Sequence, residues 1–163
     1  GQLPLRGPEL VIVANMLKID VRDLIRALGH DDEAPARMAI THRLIDDGTL
    51  EELPAEDQEK LVTQRPEGLI NGTAALIGTS ALQPRYRRGE IVFSSQDGST
   101  DPADYIGIDC IVTLADGRQL LALVQQGSQP GRVSLTIAAT QELIIDAPTT
   151  AAAPIIWHRA AMR

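Results

Sequence analysis

Residues 109–124 read DCIVTLADGRQLLALV, two apolar runs that meet at Ala115, Asp116 and Gly117. Asp-Gly between two such runs supplies the positive-φ positions that a tight hairpin requires, so the stretch predicts a pair of antiparallel strands. The same texture continues on both sides. EIVF at 90–93, VSLTIA at 133–138 and PIIW at 154–157 are short runs rich in β-branched residues, parted by clusters of Gly, Pro, Asp and Ser. Such spacing is the signature of an antiparallel β domain assembled from hairpins. DAPTTAAAP at 146–154 reads as a loop before the last strand.

Before the turn-rich stretch RPEGLINGT at 65–73 the pattern is helical. Residues 8–17 place Leu10, Val13, Ala14 and Leu17 on one helical face, with Pro8 suited to the first turn. Asp20 can cap a second helix over 21–28, whose face is Val21, Leu24, Ile25 and Leu28 and whose stop is Gly29. ARMAITHRLIDDG at 36–48 predicts a third helix facing inward through Met38, Ala39, Leu44 and Ile45. LPAEDQEKLVTQ at 53–64 predicts a fourth, starting at Pro54 and packing through Leu61 and Val62. The expected fold class is therefore α+β, an N-terminal helical segment followed by a mostly antiparallel β domain, with the boundary near 64–74.

Composition narrows the function classes. At 163 residues the chain suffices for one ordinary domain or two small ones. Trp157, Tyr86, Tyr105 and Phe93 are its only aromatics, so the core is aliphatic and stacking platforms for single-stranded nucleic acid are nearly absent. A net charge of −7 excludes a basic nucleic-acid surface on the chain as it stands. Cys110 is alone, which excludes an internal disulfide and a cysteine-based zinc site; it reads as a buried, inert thiol in a protein of the reducing cytoplasm. No metal or cofactor is expected. No signal peptide or membrane-length apolar run is visible, and Gly1 without a preceding Met suggests that sequence lies upstream.

ALQPRYRRGEIVF at 81–93, followed by YIGIDCIVTLADGRQLLALVQQG at 105–127, resembles the C-terminal domain of LexA-like and CI-like phage repressors, the S24 peptidase family. The resemblance implies a LexA-like β domain over residues 67–163. It lays Pro84, Arg85, Tyr86, Gly89 and Glu90 on the family's proline and glycine turn, Ala81 on the nucleophilic serine and Ala122 on the general-base lysine. A serine hydroxyl in such a dyad is activated by an unprotonated lysine, so losing both removes nucleophile and base together. The only lysines are Lys18 and Lys60, and none lies between 61 and 163. The resemblance thus implies a peptidase-like fold that is not an enzyme. Ser80 with His158 is the one substitute pair, set against local structural roles for both. The Ala-Gly or Cys-Gly bond that self-cleaving repressors cut is also missing from the chain.

PELVIVANMLKIDVRDLIRALG at 8–29 resembles the last two helices of a CI-type helix-turn-helix domain, which implies that the DNA-reading helix lies upstream of Gly1. The segments then read as the end of a DNA-binding domain at 1–30, a helical linker or dimerisation segment at 31–66, and the β domain at 67–163. The expected function is a phage-type transcriptional regulator, a CI-like repressor whose C-terminal domain serves homodimerisation or binds a regulatory protein. The alternatives are a self-cleaving repressor inactivated by mutation and a partner-binding module without DNA contact. Ile155, Ile156 and Trp157 are the candidates for a dimer contact, or else a plain core strand. Arg85, Arg87 and Arg88 read either as a contact for phosphate or an acidic partner, or as a solvated turn with an arginine paired to a nearby carboxylate. The acidic stretches at 30–33 and 44–52 read as partner surface or as solvated helix ends.

Overall fold

The computed structural model describes residues 37–159, apart from the side chain of Trp157. The helices expected over 8–17 and 21–28, and with them the segment 1–30, lie outside the described residues. What is described is a curled, mixed β-sheet rather than an α+β arrangement. Its elements are β1 (Arg37–Leu44), β2 (Leu50–Glu52), α1 (Ala55–Lys60), β3 (Val62–Gln64), β4 (Gly72–Ile77), β5 (Ile91–Ser95), a 3-10 turn (Pro102–Tyr105), β6 (Asp109–Leu114), β7 (Gln119–Gln126), β8 (Val133–Ile137), β9 (Leu143–Ile144) and β10 (Thr149–Arg159). The strands lie in the order β2-β1-β4-β5-β10-β6-β7-β8-β9, with β3 also paired to β1. The β1–β4 pair is parallel and the other pairs are antiparallel.

The expected helix at 36–48 is strand β1. The helical reading rested on Met38, Ala39, Leu44 and Ile45, but the fully buried Leu44 and the buried Ile40 answer to a sheet whose partners are distant in sequence. Ile40 pairs with Ala74, and His42 with Ala75, across the parallel β1–β4 contact. Pairing with non-local strands overrides the weak local preference. The expected fourth helix shrinks to α1, which buries none of its residues. Leu61 and Val62, taken as its apolar contacts, are exposed, and Val62 opens β3. Residues 37–66 are therefore neither a helical linker nor separate from the β region, because β1 to β3 belong to the same sheet as β4 to β10.

The hairpin at 115–117 forms, with a refinement. Gly117 alone takes positive φ, at +88°. Gly117 N donates to Leu114 O at 2.9 Å, and Leu114 N to Arg118 O at 2.8 Å, a tight turn followed by a glycine bulge. DAPTTAAAP, in contrast, is largely strand. β10 pairs with β6 through Pro154, then with β5 from Ile155 onward. Pro154, which has no N–H, stands at this change of partner, where a missing donor is tolerated.

Three apolar layers follow from strand alternation. Leu44, Leu50, Ala75, Ile77, Val92, Ile111 and Leu121 fill the inside of the curl. Cys110, Val112, Leu120, Ala122, Val124 and Leu135 cover the outer face of β6 to β8. Ile40, Leu53, Leu69, Ala74 and Phe93 cover the outer face of β1, β4 and β5. A register shift between Ile40 and His42 moves β1 from the outer layer to the inner one. Each fully buried Leu, Val or Phe contributes roughly 1.5–3 kcal/mol over an exposed one. The open side of the curl is stitched by a bridge between Thr49 and Leu120, and Leu121 N donates to Gly48 O at 3.0 Å. Gly48 has φ +83°, and a Cβ there would stand 2.7 Å from Ile137 Cγ2, so both conformation and space call for glycine. No helix among the described residues is long and apolar enough to cross a membrane.

Candidate functional site

The stretch between β4 and β5 forms an arch whose feet are pinned together. Ile77 N donates to Glu90 O at 2.8 Å, and Gly89 N to Ile77 O at 2.8 Å. Gly89 has φ +89°, which lets the chain turn back into β5. Within the arch, Tyr86 N donates to Leu82 O at 3.0 Å, and Arg87 N to Glu90 Oε2 at 2.9 Å. Leu82 and Tyr86 point into the inner apolar layer. At the other foot, the buried Thr79 hydroxyl donates to Asp46 Oδ1 at 2.5 Å and accepts from Ala81 N at 2.9 Å. The loop after β1 thereby holds the start of the arch.

The polar anchor of the arch is Asp109, at the head of β6 and only 5 % exposed. Tyr86 Oη donates to Asp109 Oδ2 at 2.7 Å, and Arg85 Nε lies 2.6 Å from the same oxygen. Asp109 Oδ1 is buried without a hydrogen-bond partner among the described residues. The Tyr86 phenol is pushed well above its ordinary range, first by burial and then by its bond to the Asp109 carboxylate. Burial also pushes the neighbouring Cys110 thiol up to about 12, with the Asp109 charge adding to it, which makes this thiol the inert one expected.

Beside the arch is a cavity of about 320 Å³ bounded by Ala81, Tyr86, Asp109, Leu123, Thr136 and Gln141, among others. Ala81 is exposed and reaches it. Ala122 does not: it is fully buried in the outer layer with Cys110 and Val124. Side chains alternate along β7, so Leu121 and Leu123 are the residues on the arch side. Leu121 shares the inner layer with Leu82 and Tyr86, and Leu123 lines the cavity with Ala81. The two positions singled out by the resemblance are thus on opposite sides of β7. Thr136 donates to Gln125 Oε1 at 3.2 Å.

The remaining candidates are dispersed. Ser80 is exposed in the arch, while the His158 ring meets Tyr86 edge-on, with centroids 5.8 Å apart. Of the basic arch, Arg85 is committed to Asp109, whereas Arg87 and Arg88 are exposed. Ile155 packs against the inner layer, Ile156 is exposed, and Trp157 pairs through its backbone with Phe93. In this segment β10 is bonded to β5, its pairing with β6 having ended at Pro154. Sequence reasoning placed Arg85 and Tyr86 on a turn but missed their shared partner. The available signal was Asp109, a lone charge at the head of an apolar run.

No family model matches the chain, and no curated protein matches it significantly.

Proposed function

We propose that residues 37–159 form the association domain of a transcriptional regulator similar to the CI-like and LexA-like repressors, one that pairs with a second copy and does not cut itself. The observation that carries the reading is the arch. It is tied at Thr79, Glu90 and Asp109, and in the adjoining cavity, beside the polar Tyr86, Asp109, Thr136 and Gln141, the position that the resemblance lays on the serine is Ala81 and the β7 residue on the same cavity is Leu123. Neither can act as nucleophile or base. A turn so firmly anchored without a reacting pair fits a scaffold retained for association. Joining two weak half-site readers raises operator affinity through effective concentration, without new base contacts. In this reading DNA is contacted by sequence upstream of Gly1, and the lone buried Cys110 suits a reducing cytoplasm.

Sedimentation equilibrium of the 163-residue chain over the micromolar range tests it, paired with mass spectrometry after prolonged incubation at alkaline pH. A concentration-dependent dimer of uncut chains is expected. A monomer at every concentration, or cleavage products, overturns the proposal.

A further inference from the structure

The inside of the curled sheet changes character at one level, in strand after strand. Moving two residues along the inward-facing column takes Leu44 to His42 on β1, Ala75 to Thr73 on β4 and Val92 to Ser94 on β5. The same step takes Ile111 to Thr113 on β6 and Leu121 to Gln119 on β7. The register pairs neighbours within each arc, Thr73 opposite Ser94 and Thr113 opposite both Gln119 and Ala151, and one cavity gathers the arcs together. The apolar members of these columns pack together as the inner layer, while the polar members bound a cavity of about 330 Å³.

The wall between the two arcs of polar side chains is β10, where Ala151 and Ala153 keep the space open. The segment 96–100 lies at the mouth, fixed by Ala152 N donating to Thr100 O at 2.9 Å and by Tyr105 Oη donating to Ser99 O at 2.6 Å. Filling the level with aliphatic side chains, as the adjoining level is filled, would have spared the cost of taking hydroxyls and amides out of water. A preformed cavity of this size, in which polar groups converge beside small apolar side chains, has room and hydrogen-bonding capacity for a small molecule.

The lining also selects the ligand. Among the described residues it contains hydroxyls, carboxamides and one imidazole, but no Lys, Arg, Asp or Glu and no aromatic ring besides His42. A charged ligand would lose hydration and meet no countercharge. A flat base would find no stacking platform. Hydroxyl and carboxamide side chains both donate and accept, which matches a ligand carrying several hydroxyls or an amide. His42 Nδ1 lies 2.8 Å from Thr41 Oγ1, so a bond from this ring to a ligand uses Nε2. Leu50, Ile111 and the alanines of β10 provide small apolar surface beside these groups. We infer that the polar end of the curl is a binding site for a neutral, single-ring polyol or sugar amide. The inference is independent of the association role proposed above.

Titration of the ¹⁵N-labelled chain with N-acetylglucosamine and with myo-inositol tests the site, with glucose 6-phosphate and glucuronate as charged comparators. At least one neutral probe is expected to shift the backbone amides of Thr73, Ser94 and Thr113 saturably, and the charged compounds to leave them in place. Ala153→Leu fills the space and is expected to abolish the shifts. Thr113→Val removes one hydroxyl at nearly constant volume and is expected to weaken binding while leaving the unfolding temperature unchanged, so it decides the matter should Ala153→Leu fail to fold. The inference is overturned by absence of saturable shifts with both neutral probes, by equal response to the charged compounds, or by shifts confined to other surfaces. Unchanged binding in a folded Thr113→Val protein overturns it as well.

Discussion

The two ends of the space enclosed by the curl are lined by the same strands on the same face, yet they are closed in different ways. At the arch end Leu82 and Tyr86 descend onto Ile77, Val92 and Leu121, and the Arg85–Asp109–Tyr86 cluster fastens them from the side. At the other end His42, Thr73, Ser94, Thr113 and Gln119 face a cavity that no side chain of the described residues plugs. Packing density therefore carries stability at the first end, and hydrogen-bonding capacity is kept in reserve at the second.

The largest effect that separates the two ends is expected from Leu121→Ala. Leu121 is fully buried in the inner layer, and its loss removes transfer energy and leaves a cavity beside Tyr86 and Leu82. A cost of about 2–5 kcal/mol follows, measured as a shift in the urea midpoint. A cost well under about 1 kcal/mol would mean that the arch end is loosely packed and that the contrast between the ends is wrong.

A smaller effect is expected from Tyr86→Phe. The ring and its packing are kept, but the hydroxyl bond to the buried Asp109 carboxylate goes, at roughly 1.5–3 kcal/mol near neutral pH. The pH dependence is more telling. The folded state holds the Tyr86 phenol protonated above its ordinary value of 10.0, so above that pH the unfolded chain binds fewer protons than the folded one. Stability is therefore fully present below about pH 10 and falls as pH rises further. Cys110 acts with the same sign, its contribution being lost between 9.0 and about 12. Urea midpoints followed from pH 8 to pH 11 should decline less steeply in Tyr86→Phe and in Cys110→Ala than in the parent, by about a pKa-linked slope of one proton each. Parallel slopes in all three proteins would place the phenol and the thiol in contact with water.

The sequence made the β region from 90 to 137 legible because there the local signals agree: apolar runs of strand length, a turn with Asp-Gly, and glycines between them. It hid β1 and the first half of β10. In β1 the residues that matter pair with β4 some thirty positions later, and Met38, Ala39, Leu44 and Ile45 mimic a helical face when read alone. In β10 a run of threonines and alanines has little strand character of its own and becomes strand because β6 is bonded beside it. The site was legible as a turn and not as a geometry. The resemblance lays Ala122 on the base position, while alternation along β7 turns this side chain to the outer layer and Leu121 and Leu123 to the arch. The polar belt was invisible for a related reason: its members are single Thr, Ser, Gln and His residues scattered over five strands, and only the curl of the sheet gathers them around one cavity.

The smallest effect is also the sharpest for the polar end. Thr113 is half-buried, and its side chain faces the cavity rather than the outer layer, where Val112 and Leu114 are packed. If its hydroxyl served the fold, Thr113→Val would strand a partner and cost about 1–3 kcal/mol. If it serves the cavity, the change trades a hydroxyl for a methyl group at a position with room on one side, and stability should move by less than about 0.5 kcal/mol. Calorimetric unfolding of the parent and of Thr113→Val distinguishes the two. A near-zero change beside the large loss in Leu121→Ala, its neighbour in the same enclosed space, would separate the end that holds the protein together from the end available to a ligand.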